Sequence, residues 1–196
     1  MSAAIPGIVL AAGASRRMGR SKALLPLGAS GLPFVRVICD TLTAAGVSPI
    51  VVVTRVELLE SLAGVLPGTE LVVNRDPERG QLSSLLAGLD VLGAPAAAMM
   101  TLVDLPLVRA GTVAALLATW DRTHAPLVRP LFRARHGHPV IFGAPLLDAL
   151  RSAEVDLGAK PVVHRFLADA VSVPVDDPAI VEDIDTPEEY ERLGRL

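Results

Sequence analysis

Strand-length runs of continuous apolar residues alternate with segments of helical period along this chain, and that alternation narrows the folds open to it. The apolar runs are residues 5–11, 49–54, 70–73 and 97–103; between and after them, residues 34–45, 56–65, 82–92 and 108–120 space apolar side chains helically. A strand with one wet face alternates apolar and polar residues, whereas a continuous run is buried on both faces. Doubly buried strands in strand–helix order imply a mostly parallel sheet covered by helices and joined by right-handed crossovers. The expected fold is therefore a three-layer, doubly wound, Rossmann-like α/β structure.

After Trp120 the pattern changes. Residues 126–132 and 139–142 look like strands joined by the charged, Gly-containing turn 133–138, an antiparallel excursion near residues 126–142 of an otherwise parallel sheet. Helical stretches at 145–153 and 161–170 follow, then strand-like 171–175 and 180–184. Thr186 is a good N-cap and Pro187 a good first residue for a last helix. With no internal repeat and no linker-like stretch, residues 1–196 read as a single domain.

Composition excludes several classes. At 51% hydrophobic, the chain can bury enough surface to order itself. Its net charge of −3 (18 basic, 21 acidic) lacks the basic surplus a nucleic-acid binder needs to displace counterions. Six aromatic residues (one Trp, one Tyr, four Phe) are too few for a base-stacking platform. The single cysteine, Cys39, excludes an internal disulfide and a cysteine-based zinc site. Residues 1–15 are apolar and end in small residues, but their positive charges follow the apolar run, so a buried strand and loop fit better than a signal peptide. The apolar stretch 91–103 stops at Asp104, short of a membrane span. A cytoplasmic protein without membrane partners is expected.

In open α/β sheets, ligands bind beyond the carboxyl ends of the strands. The loop after the first strand holds Ala11, Ala12, Gly13, Ala14, Ser15, Arg16, Arg17, Met18, Gly19, Arg20, Ser21 and Lys22. Four cations and several small residues in so short a stretch of an acidic protein suit a polyphosphate, which backbone N–H groups can approach closely. It is not a P-loop, because five residues separate Gly13 from Gly19 and Arg20-Ser21-Lys22 follows. Nor is it a dinucleotide fingerprint, since Gly13 is followed by Ala14, Ser15 and two arginines. Asp104 ends the fourth strand and Asp185 ends the strand-like 180–184, a pair suited to Mg²⁺, which prefers oxygen donors.

The run Leu10-Ala11-Ala12-Gly13-Ala14-Ser15-Arg16-Arg17-Met18-Gly19, with Lys22 following, resembles the signature of the small nucleotidyltransferases related to molybdenum cofactor guanylyl- and cytidylyltransferases. Asn74, Asp76, Gly80 and Ser84-Leu85 resemble that family's second nucleotide loop, and Asp104-Leu105-Pro106 its metal-binding Asp-x-Pro. Gly137-His138-Pro139-Val140 and Asp183-Ile184-Asp185-Thr186-Pro187-Glu188-Glu189 resemble its later motifs, and the match spans the chain in order. Leu105 and Gly158-Ala159-Lys160 depart from the usual residues and bear on the acceptor.

The resemblance implies attack by an acceptor phosphate oxygen on the α-phosphorus of a nucleoside triphosphate, with release of pyrophosphate. It implies Mg²⁺ on Asp104 and Asp185, with Asp183 competing for the second position. Lys22 would sit at the α-phosphate, and Arg16 or Arg17 at the β- and γ-phosphates beside the N–H groups of residues 14–17. Leu10, Ala11, Ala12, Gly13, Ala14, Ser15, Asn74, Gly80 and Ser84 would line the nucleotide site; His138, Arg135 and Lys160 would face the acceptor, molybdopterin in the leading case. Ala11-Ala12 favours the cytidylyl branch, because the methyl of Ala12 narrows the space beside the base and suits CTP over GTP. Other readings are a guanylyltransferase, a sugar-phosphate nucleotidyltransferase of the same fold, and a nucleotide sensor without turnover.

Overall fold

The computed structural model describes residues 4–193; the first and last three residues of the expected 1–196 domain lie outside the described residues. In chain order, β1 (Gly7–Leu10) leads to a hairpin of β2 (Pro26–Leu27) and β3 (Leu32–Pro33), then α1 (Phe34–Ala44), β4 (Ile50–Thr54), α2 (Leu59–Val65) and β5 (Glu70–Val73). Next come α3 (Gln81–Leu92), β6 (Ala97–Leu102), α4 (Ala110–Thr123), β7 (Leu127–Phe132), β8 (Arg135–His136) and β9 (Val140–Gly143). The chain ends in α5 (Ala144–Arg151), α6 (Lys160–Arg165), β10 (Val171–Pro174) and α7 (Pro187–Leu193).

The main sheet has the order β10-β7-β9-β6-β1-β4-β5, with β8 on β7. β1 runs parallel to both β4 and β6, β5 parallel to β4, and β10 parallel to β7. β9 is antiparallel to both β6 and β7, which is the expected excursion. The order reverses at β1, whose two neighbours lead away in opposite directions, and such a switch point opens a crevice at the strand ends. The loops after β1, β4 and β6 meet there.

Both faces of the sheet are buried, as continuous apolar strands require. Val9, Val52, Met99 and Val128 pack with Val35, Ile38 and Leu42 of α1 and Val113, Leu116 and Trp120 of α4. Ile8, Leu10, Val51, Val53 and Leu127 face the other way, onto Leu82, Leu85 and Leu89 of α3, Leu146, Leu147 and Leu150 of α5, and Val162 of α6. Gly88 lets α3 lie close on the sheet: a Cβ there would come within 2.8 Å of Ile8 Cγ2. Among the described residues, no helix is long and apolar enough to cross a membrane.

Three local expectations are corrected, and one hairpin had not been expected. Residues 180–184 form no strand: Pro178–Val181 is a 3-10 turn, opened by Pro178 and by the Asp177 carboxylate, which accepts the Ala179 N–H. Ile180 is buried as a plug in the core rather than as a strand residue. The turn 133–138 is tighter than its glycine suggested. Arg133 and Ala134, both at positive φ, reverse the chain, and β8 pairs back at once. Gly137 instead lets the backbone pass the Ile180 carbonyl, which a Cβ would overlap. The helix at 161–170 divides into α6 and the 3-10 turn Leu167–Asp169. The hairpin of β2 and β3 had no strand-like signature, having two residues per strand and a proline in each.

Candidate active site

The loop after β1 is anchored before it is exposed. Ala11 donates its N–H to the Val53 carbonyl (2.8 Å) and its side chain lies in the core on the α1 side, while Ala12 faces the cleft. Ser15 takes a left-handed backbone (φ 47°), uncommon for a residue with a side chain. Its carbonyl accepts the N–H groups of Met18 (3.0 Å) and Gly19 (3.2 Å), and its hydroxyl accepts the Lys22 N–H (3.3 Å). The loop thereby folds back, leaving Arg16 and Arg17 exposed and drawing Lys22 inward to 9% side-chain exposure. Met18 packs with Leu25, Phe34 and Ile184 in a small separate cluster.

That cluster carries the distant carboxylate in. Ile184 is held by Met18 and Phe34, and its N–H donates to the Asp104 carbonyl (3.0 Å), so the loop of Asp185 is tied to the loop of Asp104. The next residues close a capping box at the start of α7. Glu189 accepts the N–H groups of Asp185 (2.7 Å) and Thr186 (2.9 Å), and Thr186 Oγ1 accepts the Glu189 N–H (3.2 Å).

Lys22 sits between two carboxylates. Its Nζ donates to Asp104 Oδ2 at 3.1 Å and to Asp185 Oδ1, while Arg17 donates to Asp185 Oδ2. The Lys22 hydrogen bond holds the Asp185 carboxyl below the usual carboxylate range, with further help from the charges of Lys22 and Arg17. Asp183 is pushed up, first by burial and then by the charges of Asp104 and Asp185. Asp104 Oδ1 is buried and has no hydrogen-bond partner among the described residues. Burial lowers the His138 imidazole, opposed by the charge of Asp104. Among the described residues, no group of three or more His, Cys, Asp or Glu is arranged to hold a metal. A cation here would have two protein carboxylates and take its remaining oxygens from substrate and water, as Mg²⁺ commonly does.

The second loop, after β5, is organised by Asn74. Its buried amide donates to Ser83 Oγ (2.8 Å) and Ser84 Oγ (2.9 Å), and its Oδ1 accepts the Asp76 N–H (2.9 Å). Gly80 turns the chain into α3 at φ 88°, ψ −169°, a conformation that glycine tolerates. Leu10, Ala12, Gly13, Ser15, Arg16, Arg17, Lys22, Gly80, Ser84, Asp104 and Asp185 line one cleft of about 370 Å³, with Pro77, Gln81, Leu102 and Val103. Ala11, Ala14 and Asn74 stand outside that lining. Arg135 is exposed and reaches the Val181 carbonyl (3.4 Å); His138 is half-buried, its N–H donating to the Ile180 carbonyl (3.0 Å). Lys160 is exposed at the start of α6 and does not line the cleft.

Two residues that the motifs did not single out join the loops. Arg55, just beyond β4, donates to the Ala12 carbonyl (2.6 Å) and to Glu78 (2.9 Å), and Arg16 reaches Glu78 from the other side (3.1 Å). The Arg55 hydrogen bond and charge hold Glu78 below the usual carboxylate range. Arg55 was open to the same strand-end reasoning that selected Asp104. Cys39 is no nucleophile: burial pushes its thiol up to about 12.

Residues 7–179 match the MobA-like NTP transferase domain family. The chain is 31% identical over 205 residues to nicotine blue oxidoreductase of Paenarthrobacter nicotinovorans, with 96% of each chain covered. It is 28% identical over 201 residues to the purine catabolism protein PucB of Bacillus subtilis strain 168, covering 96% of this chain and 95% of that one. The crystal structure of Rv0371c from Mycobacterium tuberculosis H37Rv is similar with a TM-score of 0.83 at 26% identity, over 100% of both chains. A crystal structure of Rv0371c in complex with manganese is similar in fold, with a TM-score of 0.79 at 23% identity over 98% of this chain and 99% of that one. With a cationic loop after β1, an aspartate just beyond β6 and a matching family domain over most of its length, this chain belongs to the MobA-like NTP transferase domain family of nucleotidyltransferases.

Proposed function

We propose that the protein is a single-domain, cytoplasmic nucleotidyltransferase that moves a nucleoside monophosphate from a triphosphate, CTP in preference to GTP, to molybdopterin, releasing pyrophosphate. The observation that carries this reading is the Lys22 ammonium held between Asp104 and Asp185 at the edge of the cleft. The buried, unpartnered Asp104 Oδ1 beside a second carboxylate fits a hard divalent cation. Asp104 and Asp185 would hold Mg²⁺, which when bound would offset the repulsion between the triphosphate and the acceptor phosphate.

The chain's own residues supply position and charge. Lys22 would donate to the α-phosphate, where a point charge stabilises the oxygens as charge builds. Arg16 pairs with Glu78 at exposed positions, a pair weak enough to be exchanged for phosphate oxygens, and the exposed Arg17 reaches the half-buried Asp185. Ser84, oriented by Asn74, and Gly80 take the base and ribose; the Ala12 methyl narrows the base end. His138, Arg135 and Lys160 serve the acceptor. Transfer then rests on alignment and electrostatics rather than on a protein nucleophile.

The 31%-identical relative that is named an oxidoreductase raises a redox reading. The loop after β1 argues against nicotinamide binding, because Arg16 and Arg17 occupy the region where the dinucleotide fingerprint places glycines. The test uses CTP labelled at the α-phosphate, with Mg²⁺ and molybdopterin. The proposal expects label on the acceptor, more with CTP than with GTP. Greater transfer from GTP would overturn the base assignment. Oxidation of NADH without label transfer would favour the redox reading.

A further inference from the structure

Beyond the cleft, the same face of the sheet carries a second cationic group that the nucleotide does not use. Arg129 lies on β7, and by the alternation of a strand its side chain shares the face of Leu127, the face covered by α3, α5 and α6. Ser172 of β10 pairs in register with Arg129, and His136 of β8 pairs with Leu131, so all three side chains point to that face. His136 Nε2 and Ser172 Oγ are 2.9 Å apart. Among the described residues, Arg129 Nε is buried and has no hydrogen-bond partner, and Arg129, Arg133, Arg135 and Lys160 form no ion pair.

We propose that Arg129, His136 and Ser172 form a binding site for a second anionic group of the acceptor, distal to the phosphate that reacts. The inference rests on the nucleotidyl-transfer reading for the acceptor's identity, but not for the existence of the site. A buried guanidinium donor without a partner is costly, and an anionic group satisfies it through the planar fork. The Ser172 hydroxyl and the His136 ring bond to each other, which uses one donor of the pair and leaves another beside the guanidinium. His136 is held below its usual value first by burial and then by the charge of Arg129, and an anion beside them offsets the second of these.

The position suits the acceptor. Leu10 and Leu102 line the nucleotide cleft, and only β9 separates β6 from β7, which places Arg129 roughly 10 Å sideways at about 4.8 Å per strand. In-line displacement puts the acceptor opposite the leaving pyrophosphate. With pyrophosphate at the arginines of the loop after β1, that direction runs past Asp104 toward β9 and β7. An ion pair from Arg79, beside Gly80, to Asp156, in the approach to α6, spans the two regions at 2.9 Å.

Inorganic phosphate titrated into the full chain, with the histidine ring resonances followed by NMR, tests the site. His136 is expected to shift saturably while His124 and His164 do not, and the shift persists in Asp104→Ala, whose defect lies in the cleft. Arg129→Gln is expected to abolish it, and Arg129→Lys, which keeps the charge without the fork, to weaken it. A His136 resonance that stays put, or one that responds equally in Arg129→Gln, overturns the site whatever becomes of nucleotidyl transfer. With molybdopterin as acceptor, Arg129→Gln should raise its KM about tenfold or more, and by more than it lowers kcat. An unchanged KM overturns the link to the acceptor.

Discussion

Lys22 is a nearly buried cation facing Asp104 and Asp185. Three charges share one small volume, and a divalent ion must compete with the ammonium for the same oxygens. Replacement by an uncharged chain of similar length separates the two roles proposed for the lysine. Lys22→Met is expected to bind Mn²⁺ more tightly than the wild type in the absence of nucleotide, as titration calorimetry would read. Its turnover is expected to fall by about 10²–10³-fold, the loss typical of one donor at a developing charge. Asp183 stands in the same field with its carboxyl pushed up by burial and by its acidic neighbours. Its folded-state proton is held more tightly than in the unfolded chain, so this group's contribution is full at low pH and is lost as pH rises through the raised value. Asp183→Asn should therefore unfold at a higher temperature than the wild type at pH 7, with the difference fading toward the ordinary carboxylate range. A gain that grew on acidification would contradict the assignment.

At the scale of elements, the centre depends on three loops meeting after long excursions of chain. Gly137 lies where the chain leaving β8 passes the Ile180 carbonyl, and the adjacent His138 N–H donates to that same oxygen. Gly137→Ala is expected to cost about 3 kcal/mol in urea unfolding, because backbone must give way. It should also weaken metal binding, since the displaced turn leads directly to Asp183 and Asp185. Much of this was legible in the sequence. The parallel strands, the reversed β9 and the loops after β1 and β6 follow from doubly buried apolar runs and from strand-end chemistry. Residues 180–184 misled because Ile180 and Ile184 are apolar for two unrelated reasons, one plugging the sheet core and the other packing on Met18. The Arg55–Glu78–Arg16 bridge and the shared grip on Lys22 were not legible. Each joins residues distant in sequence through contacts that no local pattern encodes.

The whole molecule places a cleft at the point where strand order reverses and gives it a cationic loop on one side and carboxylates on the other. The family match over residues 7–179 and the likeness to Rv0371c along the entire chain establish the family and the fold that carry that cleft. On the α3-side face, beyond β9, β7 carries Arg129, the group proposed to hold the acceptor's second anionic end. The most direct measurement is pyrophosphate release from CTP in the presence of molybdopterin, with and without Mg²⁺, for the wild type and for Asp104→Ala. Release that needs both acceptor and metal in the wild type, and that is abolished in Asp104→Ala, is the predicted result. Wild-type release without metal, or an undiminished rate in Asp104→Ala, would contradict the central role given to the Asp104–Lys22–Asp185 group.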